Sequence, residues 1–352
     1  MKKIALLLML MITGLIAFTA CDKSEAVAEA KDVTVWKFSH EESVGSIQDM
    51  YAMKFKALVE ERSSGKIRVD VYPVGQLGDG VGAVELIRYN AVNFSINNPA
   101  TVATIIPENQ LLSLQFVFSD DMEVNKKVLN EGNAIKELNK LYRAKDIIPL
   151  AWFQEGFQVI TSNHPINSPD DMKGFKLRVM ASPLLIASYS AYGANPTPVP
   201  YMETYSNLQL NMIDGQVNPV FAIEEMKFYE VQKCLNFLNQ EIFVGTFCVN
   251  PVFWDSLTEE EREMVLDITK ELDSYIFDIQ NEYANVRLQK IVDNKPQITL
   301  KEYTAEEREA FKAKAIIGYD WYLNLVGEKG QTLLNMMEED IKTAEENANS
   351  EQ

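Results

Sequence analysis

Three cysteines and two histidines are all that 352 residues carry of the side chains that most often bind metals or act as nucleophiles. His40 and His164 stand far apart, in neither H-E-x-x-H nor any other metal-ligand spacing. No G-x-S-x-G elbow occurs, and the glycine-rich stretch 75–82 lacks the G-K-[ST] ending of a phosphate-cradling loop. Acid pairs are too common in so acidic a chain for any one to mark a catalytic dyad. Enzyme chemistry therefore has no constellation to rest on, and neither a metal nor a cofactor is expected.

Positive charge is scarce as well. Lys and Arg number 33 against 51 Asp and Glu, a net charge of −18. Such a surface disfavours nucleic acid and anionic headgroups, whose recognition leans on Lys and Arg. It also means that an anionic ligand would need a local cation to overcome the overall field. Beyond residue 20, no run approaches the ~20 apolar residues of a spanning helix. A hydrophobic content of 47% with 24% charged residues is ordinary for a chain that buries a sizeable core. The length suits one large or two medium domains.

One apolar run is present. Lys2 and Lys3 precede residues 4–20, the pattern of a secretory signal rather than a spanning helix. It ends Phe18-Thr19-Ala20-Cys21, which resembles a bacterial lipobox with Phe in place of the usual Leu. Cys21 is accordingly expected to carry a lipid that holds the chain on the cell membrane, with residues 21–32 as a polar, Ala-rich tether. Plain cleavage beside an incidental cysteine is the alternative. An oxidising compartment would permit a bridge between Cys234 and Cys248. One pair is no disulfide framework, however, and two buried free thiols are the preferred reading.

From residue 33 onward, strand-like and helix-like patterns alternate. Residues 33–38 and 66–72 have period two, while Met50, Met53, Phe55, Leu58 and Val59 recur at helical spacing. A helix is expected near 122–141, strands near 147–152 and 158–162, and an N-cap at Ser168 before Pro169. Such alternation argues for α/β layers with largely parallel strands. Thr258 with Glu261 and Thr304 with Glu307 are capping boxes. After the first, Met264, Ile268, Leu272, Ile276, Ile279, Tyr283 and Val286 keep helical spacing, and no Gly or Pro intervenes before Pro296. A helix of about 30 residues, ~45 Å long, exceeds what one domain needs and is long enough to span two lobes.

The stretch most informative about chemistry runs from 171 to 219. Residues 173–179 put basic side chains on a strand that opens into Ser182-Pro183. Arg178 beside a helix start would make a good carboxylate receptor, although the pattern alone serves a surface or ion-paired arginine equally well. A rigid proline-rich connection, 195–200, follows, and then a turn, 214–219, that ends in Asn218-Pro219.

These segments, together with 227–233, resemble the signature of the substrate-binding proteins of TRAP transporters, the DctP family, and are most similar to its sialic-acid-binding members. Residues 65–73 and 76–79 are similar to the family's first lobe, and 253–257 to the entry of its long helix, so the resemblance covers nearly all the chain after the signal. It implies a two-lobed periplasmic-binding-protein (Venus-flytrap) α/β fold with a long helix spanning both lobes. The lobes would comprise residues 33–154 with 244–283 and residues 155–243 with 284–345, leaving 346–352 as a polar tail. Strands would cross between lobes near 154 and 243.

The resemblance also implies a ligand-binding set. Arg178 pairs with the ligand carboxylate, Asn218 supports it, Tyr201 sets a ring against the ligand, and Glu41, Gly80, Asn98 and Gln158 line the cleft. Gln158 stands where a second arginine is common, and the sialate binders' polar residues are not reproduced at Glu41, Gly80 or Asn98. Sialic acid is therefore not inferred; a sugar acid or other monocarboxylate is favoured over a dicarboxylate. The expected function is capture of a small organic acid by hinge closure and its delivery, by a lipid-anchored extracytoplasmic monomer, to the small and large membrane subunits. A ligand sensor of the same fold, reporting to a signalling receptor, is the alternative.

Overall fold

A computed structural model describes residues 33–78 and 80–350. The expected signal, the expected lipid site at Cys21 and the expected tether lie outside the described residues. The strands are β1 (Thr34–His40), β2 (Ile67–Tyr72), β3 (Phe94–Asn97), β4 (Ile148–Phe157), β5 (Val159–Ser162), β6 (Lys176–Val179), β7 (Asn195–Pro198), β8 (Gly215–Asn218), β9 (Cys234–Phe237), β10 (Ile242–Val249) and β11 (Thr299–Glu302). They form two sheets, ordered β2-β1-β3-β10-β4 and β11-β9-β5-β8-β6-β7.

In the first sheet β1 runs parallel to β2 and β3, and β10 is antiparallel to both β3 and β4. The alternation in β1 buries Trp36 and Phe38 under the helix Ile47–Arg62. The centre of that core is aromatic: Phe247 on β10 packs against Phe38, Tyr51, Phe55 and Phe94 at centroid distances of 5.2–5.7 Å. Phe247→Ala should therefore cost about 3–5 kcal/mol, read as a lowered urea midpoint with an unchanged slope. The second sheet has a mixed order, with β8-β6-β7 parallel and β5 antiparallel to β8 and β9.

Two segments pass directly from one sheet to the other. β4 gives way to β5 at Gln158, and β9 to β10 through residues 238–241, so an antiparallel two-stranded ribbon runs through both sheets. The Gln158 amide donates to the Glu241 carbonyl at 2.8 Å where the segments cross. These crossings fall a few residues away from 154 and 243, because β4 keeps pairing with β10 out to Phe157–Ile242.

The long helix is Glu259–Asn294, 36 residues, or about 54 Å. Its capping box forms as the sequence implies, with Thr258 N–H donating to Glu261 and Glu261 N–H donating to Thr258 Oγ1. Val265, Ile268, Leu272 and Ile276 pack in the first lobe, and Ile291 packs in the second. Cys234 and Cys248 are both buried free thiols.

The C-terminal end departs from the expected lobe assignment. The helix Ala305–Val326 puts Phe311 into the second lobe's core, but Glu328–Ser350 returns to the first. Its Leu333, Leu334, Met337 and Ile341 pack with Val128, Leu129, Ile135 and Leu138. Residues 122–141 form two helices, not one, broken at Gly132. Asp340 Oδ2 accepts from Ala134 N at 2.9 Å and so caps the second of them in place of a local side chain. The expected polar tail is helical through Ser350, because Ala344 and Ala348 continue the same apolar stripe.

Candidate functional site

Parallel strands bring their carboxyl ends to one edge of a sheet, and open α/β sheets bind ligands there. In the first lobe, β1 and β3 end side by side and present Glu41, Glu42 and Asn98. In the second, β8, β6 and β7 end side by side and present Asn218, Arg178 and the segment Val199–Tyr201. These two edges wall a cavity of about 440 Å³ between the lobes.

Arg178 lies on the cavity wall. Only 2% of it is exposed, although guanidinium groups rarely lose their water without a counter-charge. Nε donates to the Val199 carbonyl at 2.9 Å, while Nη1 is buried without a hydrogen-bond partner. Burial pushes its pKa down to about 10. A buried guanidinium with donors to spare, on a cavity wall, can receive an oxyanion. Asn218, at the end of the strand next to it, lines the same cavity and receives orientation from Gln216 Oε1, to which its Nδ2 donates. Tyr201 brings its ring edge-on to Phe228, with a buried hydroxyl that finds no partner.

The facing wall is acidic. Glu41 Oε1 accepts from the Thr101 hydroxyl at 2.8 Å, and Oε2 accepts from Asn98 N at 3.1 Å and from its side chain. Burial raises the Glu41 carboxyl to about 8 against those hydrogen bonds. Asn98 Oδ1 is meanwhile occupied in capping the turn Pro99–Val102. Gly80 starts the helix Gly80–Arg88 at a φ of +48°, a conformation that suits glycine, and the turn lays Gly80, Val81 and Gly82 along the wall.

Of the residues expected to line the cleft, Gln158 does not. It is 1% exposed at the crossing of the ribbon, bound through its backbone to Glu241, and absent from the cavity wall. The site also includes residues that sequence reasoning passed over: Glu42, Met180, Met202 and Phe243. Glu42 carried a usable signal, since it adjoins Glu41 at the end of a predicted strand. Phe243 carried none, as it sits in a strand that is apolar on both sides of it, Ile242 to Val244.

A two-lobed α/β molecule with a cavity between strand ends and a buried, unsatisfied arginine on its wall is a solute-binding protein by architecture. The sequence model of the bacterial extracellular solute-binding proteins, family 7 (DctP), matches residues 38–323, and the chain belongs to this family of TRAP-transporter binding proteins. Among its relatives, the ectoine-binding periplasmic protein TeaA of Halomonas elongata is 32% identical over 88% of this chain and 91% of its own length. The ectoine/5-hydroxyectoine-binding periplasmic protein UehA of Ruegeria pomeroyi is 30% identical over 92% of this chain and 96% of its own. The solved structure of the ectoine-binding protein of the H. elongata TeaABC TRAP transporter matches with a TM-score of 0.84 at 32% identity, covering 88% of this chain and 99% of that one.

Proposed function

We propose that this protein captures a small organic acid bearing one carboxylate, closes its lobes on it, and delivers it to the small and large membrane subunits of a TRAP transporter. The observation that carries the reading is the buried Arg178 Nη1, which has no protein partner and faces the cavity. A carboxylate there accepts from the guanidinium fork, with the Asn218 amide beside it. Each charge-assisted hydrogen bond contributes about 1.5–3 kcal/mol net. Gln158 and Glu241 mark the hinge, since the chain changes sheets between them, and closure about such a point is the usual motion of two-lobed binders. The lipid expected on Cys21 would keep the protein near its membrane partners. The reading is one of binding and release, without turnover.

The wall opposite Arg178 narrows the ligand. Glu41 and Glu42 oppose a second carboxylate and favour a group that is cationic or rich in N–H donors. Val81, Met180 and Phe243 supply apolar surface against which a sugar acid's hydroxyls would find no partners. A compact zwitterion fits both walls, and ectoine, a cyclic amidine carboxylate named in two relatives, is the first compound to try. A thermal-shift series with ectoine, a uronate and succinate tests this. A ligand at 100 times its dissociation constant adds about 2.7 kcal/mol of stability. A melting point raised by ectoine alone supports the zwitterion; one raised only by the uronate or succinate keeps the carboxylate anchor and overturns the zwitterion. No shift with any of the three overturns the acid-binding reading.

A further inference from the structure

Behind the cavity wall lies a carboxyl group that the site as described does not use. Glu155, on β4, is 1% exposed and does not line the cavity. Its Oε2 is buried without a protein donor, and one residue, Gln48, holds its carboxyl beside that of Glu42, which does line the cavity. Gln48 clamps the pair from one side: its backbone N–H donates to Glu42 Oε2 at 3.3 Å and its Nε2 to Glu155 Oε1 at 2.9 Å. Gly245 on β10 clamps it from the other, since a Cβ there would stand 2.6 Å from Glu155 Oε1. Two carboxyls can share a hydrogen bond only if one of them holds a proton.

We propose that Glu155 acts as a positioning residue that keeps one proton on the Glu42–Glu155 pair in the empty protein, and that capture of a ligand with a cationic group expels this proton to solvent. The proposal rests on the zwitterion reading above. Its balance is simple: protonated protein plus zwitterion gives the complex plus one free proton.

The charged groups around the pair all bear on this. Glu41 adjoins Glu42. Glu225, from the helix Val220–Glu225, accepts from the Ser43 hydroxyl at 3.0 Å and lies 3.3 Å from Arg287 Nη2. Arg287 is shared with Glu224 and does not approach the pair alone. Across the cavity stand Tyr201 and Arg178, the latter the one cation on its wall among the described residues. Burial first, and then the neighbouring carboxylates, hold Glu42 and Glu155 above the ordinary carboxylate range. A ligand cation against Glu42 reverses the second effect and favours the doubly ionised pair. The bound state then titrates below the empty one. Affinity therefore climbs as pH rises through that interval, by up to about tenfold per pH unit for one proton released, and levels off above it.

The test is titration calorimetry with ectoine near neutral pH in phosphate and in Tris, whose ionisation enthalpies differ. The wild type should show a buffer-dependent enthalpy corresponding to net release of a proton. In Glu155→Gln, the amide donates to Glu42 and favours its ionised form: release should fall by about one proton from the wild-type value, whatever Glu41 contributes, and the climb of affinity with pH should be shallower to match, while binding persists. Equal enthalpies in the two buffers for the wild type, or undiminished release by Glu155→Gln, overturns the proposal. Should ectoine fail to bind the wild type, the functional reading fails first, and the pair is then judged on the empty protein. Its infrared spectrum at neutral pH should contain a protonated-carboxyl band that Glu155→Gln diminishes; an identical band in both proteins overturns the shared proton.

Discussion

Arg178→Ala should lose ligand affinity by about a hundredfold or more, equivalent to roughly 2.7 kcal/mol, while the fold survives intact. The loss follows from two charge-assisted bonds removed at once from a dry site. Stability should move little, or even rise, because the empty protein buries a guanidinium with Nη1 unpaired and with its charged form already penalised by burial. Arg178→Lys should recover little of the binding, since an ammonium cannot hold the Val199 carbonyl and also present a planar fork to a carboxylate. Calorimetry with the stabilising acid, beside a melting curve of each empty variant, separates the two effects. Wild-type affinity in Arg178→Lys would refute bidentate recognition. A melting point that collapsed in Arg178→Ala would instead make the arginine a structural brace.

The second large effect concerns the strand that carries Asn218. At Gly215 on β8, an added Cβ would run into the Thr161 carbonyl of β5 and stand 2.5 Å from the Phe175 ring. The carbonyl belongs to a central strand and the ring is buried, so neither side can yield cheaply. Gly215→Ala should cost at least ~3 kcal/mol, a melting point lower by on the order of 5–10 °C. It should also weaken ligand binding, because Asn218 lies one strand length away on the same displaced backbone. A melting point within about 2 °C of wild type would mean that β8 shifts without strain.

Much of this architecture can be read from local chemistry. Thr258 and Thr304 announce their helices because a capping box is a short-range device: the donor and the acceptor are three residues apart. The period-two pattern before His40 marks β1 because alternation is built into the pleat. Apolar spacing is less exact, and Met53 and Val286, both counted on apolar faces, are 46% and 43% exposed. Arg178 and Asn218 were legible through family resemblance, not through spacing. The acidic pair was not legible at all. Glu42 follows β1 and Glu155 lies far along the chain on β4, and in a chain with 51 acids nothing local distinguishes two that meet. Gln158 departs from expectation for a related reason: the crossing of the ribbon seals it away from the cavity. The return of Glu328–Ser350 to the first lobe was equally hidden, because an amphipathic helix does not name the surface it covers.

That last helix has a bearing on how the protein comes into being. The first lobe's core is assembled from Val84 and Ile87, near the start of the described chain, and from Leu333, Met337 and Ile341, near its end. A nascent chain leaving the ribosome could form local helices and hairpins early, yet the first lobe cannot complete itself before Glu328–Ser350 is synthesised. Contacts between such distant residues close slowly, because loop entropy must be overcome before packing rewards it. The first lobe is thus sealed by its most distant segment, long after its own sheet has begun to form.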